Sequence, residues 1–189
     1  IGIGEVTSEH VWVLSRPNSD LLFAHTKSSE LEPHSGPISD VCFSPFEKKL
    51  LLTSSMDGSV KVFDIQHQRP LFVLFPPTPE VSSCALSSVT FSHGRPLVFA
   101  CAAEAGRGNH SVHIYDLLES QKGPVAQIPL GGDVRGATCT RFNPKQRAIL
   151  AVGDAHGTVK IFRLPTKLSN VEEKFPVENS RVFRETQGK

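Results

Sequence analysis

Short alternations of apolar and polar residues, divided by turn-forming residues, fill the stretch between residues 34 and 65. Val41 and Phe43 point to one face of a predicted strand, residues 50–53 form a short apolar run, and apolar and polar residues alternate over residues 60–65. A period of two predicts a half-buried β-strand, and a short apolar run bounded by turns predicts a buried one. We therefore predict a three-stranded antiparallel meander with tight turns.

The same pattern recurs further along the chain. Residues 43–65 align on residues 142–164 with a constant offset of 99 and no gap, so that phenylalanine, proline, glycine and lysine positions coincide. A middle copy has four additional residues between Phe91 and Tyr115, which we assign to an insertion at residues 104–109. Repeated units that cannot bury both faces of their own sheets predict an array of stacked sheets.

The repeat predicts an all-β fold, with a β-propeller as the arrangement of its short antiparallel strands. A β-sandwich and kelch-type repeats are weaker alternatives, since a sandwich does not require an internal repeat and kelch repeats carry paired glycines. The predicted units are a half blade at residues 1–26, blades at about 27–75, 76–125 and 126–165, and a C-terminal tail at 166–189. In the tail, Ser169 followed by Glu172 resembles a capping box, which predicts a short helix in a strap over the propeller edge.

Charge and composition narrow the possible functions. The formal net charge is +1, so no strong basic field favours nucleic acid as a partner. The four cysteines, Cys42, Cys84, Cys101 and Cys139, lie far apart in apolar segments, which predicts buried thiols, with a disulfide or metal site as a weaker alternative. The apolar runs are much shorter than the roughly 20 residues of a membrane helix, so we expect no membrane insertion. Because the first residue is isoleucine, we expect a segment of a longer protein.

The sequence contains no convincing catalytic, cofactor-binding or metal-binding set. His110 and His113 lie three residues apart near a predicted strand and face opposite sides, so we expect a turn histidine and an exposed strand histidine. Asp154 and His156 lack a nucleophile and an orienting group that would complete a catalytic set. We therefore predict a non-enzymatic protein without cofactor or metal, and a propeller-based hydrolase is a less favoured alternative.

The turn motifs resemble the WD-repeat pattern: His34-Ser-Gly36 precedes a strand, Phe43-Ser-Pro45 follows it, and Phe63 ends a later strand where tryptophan is usual. The resemblance implies a hydrogen-bond network in which His34 contacts Thr53 or Ser55 and reaches Asp57. Phe63 lacks the indole N–H that would supply the last donor of that network.

Longer motifs resemble the C-terminal propeller of dynein intermediate chains, and most closely those of dynein-2, the motor of ciliary retrograde transport. These motifs are His34-Ser-Gly-Pro37 with Phe43-Ser-Pro-Phe46, residues 95–100 and residues 151–160. The resemblance implies the C-terminal blades of a larger, seven- or eight-bladed ring, whose remaining blades this segment needs.

The same resemblance implies a scaffold subunit that binds the dynein heavy chain and assembles with other dynein intermediate and light chains. It also implies a cytoplasmic location at the cytoskeleton, in the cilium, axoneme or basal body, and a role in microtubule-based, intraflagellar transport. The alternative is a WD-repeat scaffold of another pathway, such as a ubiquitin-ligase adaptor or a trafficking protein.

Exposed loops are the candidate partner contacts. Arg107 lies in the predicted insertion, and its several donors suit an interface. Asp133, Arg135 and His156 are expected on one propeller face, where Asp133 and His156 take the third unit's places for His34 and Asp57. A mobile surface loop for Arg107 and a solvated polar rim for the other three residues are the alternatives.

Overall fold

The computed structural model describes residues 2–4, 11–15, 26–77, 84–103, 111–131 and 136–170, with side chains from residue 31 onward. Its elements are β-strands and one helical turn, so the all-β prediction is confirmed for this part of the chain. The elements are β1 Gly2–Gly4, β2 Val11–Ser15, β3 Thr26–Glu30, β4 Ile38–Phe43, β5 Leu50–Ser55, β6 Val60–Asp64, β7 Phe72–Leu74, β8 Leu86–Phe91, β9 Val98–Ala103, β10 Ser111–Asp116, β11 Ala126–Pro129, β12 Ala137–Phe142, β13 Ile149–Asp154, β14 Val159–Arg163 and α1 Thr166–Ser169.

The strands form four antiparallel sheets in chain order: the first sheet β1–β3, the second β4–β7, the third β8–β11 and the fourth β12–β14. The sequence placed the end of the first unit at residue 26, but β3 continues the first sheet, with Glu30 opposite Trp12. β3 lies at the sheet edge, where polar residues are tolerated. Its polar sequence, TKSSE, therefore gave no hydrophobic signal.

The internal repeat is reproduced by the backbone. The first three strands of the second sheet coincide with the three strands of the fourth after an offset of 99. The β-bulges after Ile38 and Ala137 coincide as well. In the third sheet, Phe99 pairs with Tyr115 as Leu51 pairs with Phe63. Phe99 follows Leu51 by 48 residues, whereas Tyr115 follows Phe63 by 52 residues. The four additional residues of the third sheet therefore fall between β9 and β10.

Large side chains form one cross-strand row in each of the second, third and fourth sheets. In the third sheet, Phe91 lies opposite Phe99, which lies opposite Tyr115. The rings of Phe91 and Phe99 meet edge to face at 6.2 Å, and those of Phe99 and Tyr115 stack at 4.9 Å. All three are essentially fully buried, and each such burial stabilises the fold by roughly 1.5–3 kcal/mol.

The first strands of the second, third and fourth sheets lie side by side and run in the same direction. Asp40, just after the bulge in β4, accepts a hydrogen bond from the Val89 N–H at 3.1 Å. Ser88, at the equivalent position in β8, accepts one from the Thr140 N–H at 3.1 Å. Arg141 of β12 donates to Asp40 at 3.0 Å and to Ser88 at 3.2 Å, and so joins all three sheets.

One face of the fourth sheet has no described residue packed over it. Val159 and Ile161 are each 65% exposed, whereas the equivalent Val60 and Val62 of the second sheet are 0% exposed. Cys139 is exposed on this sheet, so the prediction of buried thiols is wrong for it. Cys101 is buried, Cys42 and Cys84 are partly buried, and all four cysteines are free.

The segment after the fourth sheet docks against the third. Arg95 forms a buried ion pair with Asp116 at 3.0 Å and donates to the Lys167 carbonyl at 3.1 Å. A Cβ on Gly94 would lie 2.0 Å from the Ser169 carbonyl oxygen, so glycine is required for this approach.

The helix ends at Ser169, whereas the sequence predicted that a helix would begin there. Residues 171–189, with Glu172, lie outside the described part.

We expect the uncovered face to drive self-association of the 189-residue chain. Replacing Val159 and Ile161 with lysine should shift the chain towards monomer in sedimentation velocity, because exposed apolar sheet faces promote association. The matched control replaces two other exposed apolar residues, Val73 and Phe75, with lysine; they are 45% and 63% exposed. Their equivalents in the third sheet, Gln127 and Pro129, are also exposed. Equal monomer fractions in the two double variants would contradict this expectation.

Candidate functional site

His34 is the centre of a buried polar network at one end of the second sheet. Its Nε2 lies 2.7 Å from Thr53 Oγ1, and its Nδ1 lies 3.2 Å from Asp57 Oδ2 and 2.9 Å from Ser59 Oγ. His34 precedes β4, Thr53 is on β5, and Asp57 and Ser59 belong to the β5–β6 turn. The network therefore ties the entry of the sheet to its middle strand and its turn.

Asp57 organises the turn as an acceptor. Its Oδ2 accepts the Ser35 N–H at 2.9 Å, and its Oδ1 accepts the Ser59 hydroxyl at 2.6 Å and the Ser59 N–H at 2.8 Å. Gly58 has a φ of +83°, a left-handed conformation that favours glycine at this position. Ser59 was missed in the sequence, although a serine two residues after an aspartate in a turn is a recognisable local signal.

Two predicted members of the network have different contacts. The Ser55 hydroxyl is not hydrogen-bonded to His34; it donates to the Gly36 carbonyl at 2.9 Å and accepts the Asp57 N–H at 3.1 Å. Phe63 is fully buried beside Leu51 and contributes packing rather than a hydrogen bond. The network thus closes through Ser59, without the indole donor that tryptophan would supply.

The electrostatics of the network favour a neutral histidine beside an ionised carboxylate. Burial lowers the pKa of His34, and this outweighs the opposing effect of Asp57. Burial alone would raise the pKa of Asp57, but the hydrogen bonds from Ser59 and the Ser35 N–H hold it below its ordinary value. With its proton on Nδ1, neutral His34 donates towards Asp57 and Ser59 and accepts from the Thr53 hydroxyl. Because these groups are hydrogen-bonded to one another, the network is better suited to a structural role than to proton transfer.

The equivalent turn of the fourth sheet is built differently. Asp154, at the position of Ser55, accepts the N–H groups of His156 and Thr158, both at 2.9 Å. His156, at the position of Asp57, is exposed in the turn. Its predicted counterpart Asp133 lies outside the described residues, so the exchange of acid and base stays a prediction.

The predicted partner-contact residues are only partly visible. Arg107, Asp133 and Arg135 lie outside the described residues, and of this set only His156 can be placed. His110 is outside as well, but His113 is buried, so its predicted exposure is wrong. Its Nε2 lies 3.1 Å from Ser111 Oγ, and burial lowers its pKa.

Among the described residues, no three His, Cys, Asp or Glu side chains are grouped so that they could hold a metal ion. In the same part of the chain, no helix is both long and apolar enough to cross a membrane. The prominent polar clusters are the His34 network, the Asp40–Ser88–Arg141 contacts and the Arg95–Asp116 pair. Each of them joins one backbone segment or sheet to another.

Comparison with known proteins gives one family match and several curated relatives. Residues 25–64 match the family model "WD domain, G-beta repeat". Cytoplasmic dynein 2 intermediate chain 2 is 38% identical in Homo sapiens over 72% of this chain and 33% identical in Mus musculus over 84% of this chain. GATOR2 complex protein WDR24 of Danio rerio is 28% identical over 82% of this chain.

The matched region is a fraction of each relative. The chain covers 24% of the human and 28% of the mouse dynein-2 intermediate chain, and 18% of the Danio rerio WDR24 protein. The similarity therefore concerns the sheet array, and the activities of the whole relatives do not follow from it.

We expect Asp57→Ala to lower the free energy of unfolding by about 1–3 kcal/mol, because His34 Nδ1 and the hydroxyl and N–H of Ser59, all in partly buried hydrogen bonds, lose this acceptor. His156→Ala removes the side chain at the equivalent position of the fourth sheet and should cost no more than about 0.5 kcal/mol. Urea unfolding of both variants measures the difference. Equal losses would show that the Asp57 network does not stabilise its sheet.

The lowered pKa of His34 predicts destabilisation by mild acid. Below its ordinary value of 6.5 the unfolded chain binds a proton that the folded chain does not yet bind. Stability should therefore fall as the pH drops from about 7 to 5. His34→Gln should be less stable at neutral pH but show a smaller fall, measured by urea unfolding across this range. His113, whose pKa is also lowered by burial, contributes a similar fall in stability to the wild type and to the variant. Identical pH profiles of the two proteins would therefore contradict the assignment of the fall to His34.

Proposed function

We propose that the chain is part of a non-catalytic scaffold subunit of a dynein motor complex, because residues 25–64 match a WD-repeat model and most of the chain is similar in sequence to dynein-2 intermediate chains. The observation that carries the proposal is the similarity, at 33–38% identity, over 72–84% of this chain. The similar region is several times longer than the single repeat at residues 25–64 that the family model matches.

The polar chemistry supports a scaffold. His34 and Asp57, whose residue types resemble an acid–base pair, are engaged with Thr53, Ser59 and the Ser35 backbone. Arg95 and Arg141 form ion pairs with Asp116 and Asp40 rather than presenting free charges to an anion. These groups maintain the sheets, and the exposed turns at the two sheet ends are left for contact with partners.

The proposed partners are the dynein heavy chain, bound through the propeller, and other intermediate and light chains of the same complex. The remaining blades of the ring complete the propeller. This assignment places the protein in the cytoplasm, at the cytoskeleton and in the cilium, axoneme or basal body. Its role there is to support microtubule-based, intraflagellar transport.

A WD-repeat scaffold of another pathway is the second candidate. The 28% identity to a GATOR2 complex protein over 82% of this chain favours it, because the name of that relative gives a different assembly for a similar sequence. The higher identity of the dynein-2 relatives places the dynein assignment first.

The proposal predicts that the tagged full-length protein captures the dynein heavy chain from ciliated cells, identified by mass spectrometry. Leu52→Asp is the control, since a carboxylate in place of a fully buried leucine should disrupt the second sheet and abolish capture. Enrichment of other complexes without any dynein subunit would overturn the proposal and favour the second candidate.

A further inference from the structure

The sheets present two distinct ends to solvent. β4, β8 and β12 run in the same direction, because successive contacts advance together on neighbouring strands. Asp40 and Cys42 accept the N–H groups of Val89 and Phe91, and Ser87 and Ser88 contact Ala137 and Thr140. The turns at residues 44–49, 92–97 and 143–148 therefore lie at the same end, which we call the basic end. The connections that follow β6 and β14 also lie at the basic end. The Ile65 N–H donates to the Lys49 carbonyl, and the Leu164 N–H donates to the Ala148 carbonyl.

The basic end concentrates positive charge that the chain as a whole lacks. Seven exposed cationic side chains belong to its turns and connections, against the two carboxylates of Glu47 and Glu119. The formal net charge of the entire chain is only +1. The seven cationic residues are Lys48, Lys49, Arg69, Lys122, Lys145, Arg147 and Lys167.

Most of these cations are available to a partner. Lys167 pairs with Glu119 at 2.8 Å, and Lys49 donates to Gln66 at 2.8 Å. No carboxylate of the described residues forms an ion pair with the other five. Lys48 and Arg147 occupy equivalent positions of the second and fourth sheets, so the third sheet lies between them. The described turns at the opposite end carry Asp57 and Glu32 but no lysine or arginine.

The turns of the basic end are held rigidly by one repeated device. Ser44 Oγ accepts the N–H groups of Phe46 and Glu47, both at 3.2 Å. Ser92 Oγ accepts two N–H groups in the next sheet at 3.0 and 3.3 Å, and Asn143 Oδ1 accepts two in the fourth, both at 2.9 Å. Rigid turns reduce the entropy lost when a partner binds.

An apolar contact lies within the same surface. Phe46 is 44% exposed in the turn that also carries Lys48 and Lys49. An exposed aromatic side chain surrounded by cations provides an anchor together with a charged rim, the combination found in protein interfaces.

We propose that the basic end docks an acidic polypeptide segment of a partner protein, with Phe46 as its apolar anchor and Lys48 and Arg147 as charge contacts. This inference rests on the proposed function, since it assigns one surface of the scaffold to one kind of partner. It differs from the contacts predicted from the sequence, because His156 lies at the opposite end.

The surface suits a polypeptide better than a nucleic acid. Glu47 and Glu119 lie among the cations and would repel a continuous row of phosphates, whereas a polypeptide can offer both carboxylates and donors. Phe46 is the only aromatic residue that is largely exposed in the described turns of the basic end. Binding of single strands commonly uses several stacked aromatic residues.

The test measures fluorescence anisotropy of a fluorescein-labelled, glutamate-rich peptide with interspersed leucines, titrated with the 189-residue chain. Wild-type binding should weaken as salt rises, and Lys48→Gln with Arg147→Gln should weaken it about five- to tenfold. Phe46→Ala should weaken it at all salt concentrations, because its contact is apolar.

The matched control adds the same charge change at the opposite end. Met56 and Ala155 occupy equivalent exposed positions of the second and fourth sheets, and their replacement by glutamate should change the affinity less than about twofold. Equal weakening by the two double variants would overturn the proposal, because only net charge would then matter. Tighter, equally charge-dependent binding of a single-stranded RNA oligonucleotide or of phosphatidylserine vesicles would overturn it too.

The two proposals can fail separately. Charge-dependent binding of the peptide together with failure to capture any dynein subunit would support the docking surface and overturn the dynein assignment. Capture of the dynein heavy chain by a wild-type chain that does not bind the peptide would overturn the docking surface alone.

Discussion

The structure depends on burying both faces of each sheet against a neighbouring sheet. Val60 and Val62 of the second sheet and Val112 and Ile114 of the third are completely buried, and the next sheet supplies the cover. The equivalent Val159 and Ile161 of the fourth sheet, without such a cover, are largely exposed. Local strand formation is therefore insufficient for stability, and each unit depends on its successor.

Polar contacts then fix how the sheets are oriented, while apolar burial provides most of the stabilisation. The bulges after Ile38 and Leu86 turn Asp40 and Ser88 towards the backbone of the next inner strand. Because both contacts link equivalent positions, the inner strands stay aligned and their turns emerge at one end. The same alignment creates the two chemically different ends of the array, with the His34 network at one and the cationic turns at the other.

The sequence predicted features that depend on neighbours in the chain and missed those that depend on neighbouring sheets. The offset of 99 predicted the strands of the fourth sheet, and the resemblance to WD repeats predicted the contacts of His34 with Thr53 and Asp57. Burial of His113, exposure of Cys139 and the Arg141–Asp40 contact all depend on which sheet face is covered. Period-two alternation identifies a face but not what packs on it.

The residue that follows the β-bulge is chemically different in the fourth sheet, the last of the described sheets. Asp40 and Ser88 offer oxygen acceptors to the next inner strand, but the equivalent residue of the fourth sheet is Cys139, whose sulfur is a weak acceptor. Arg141, which replaces the smaller Cys42 and Thr90 of the preceding sheets, is directed back to Asp40. A sheet that covered Val159 and Ile161 would thus gain little from the polar contacts that align its predecessors. Its position would be determined mainly by apolar packing, so shape complementarity would matter more at this junction than at the two before it.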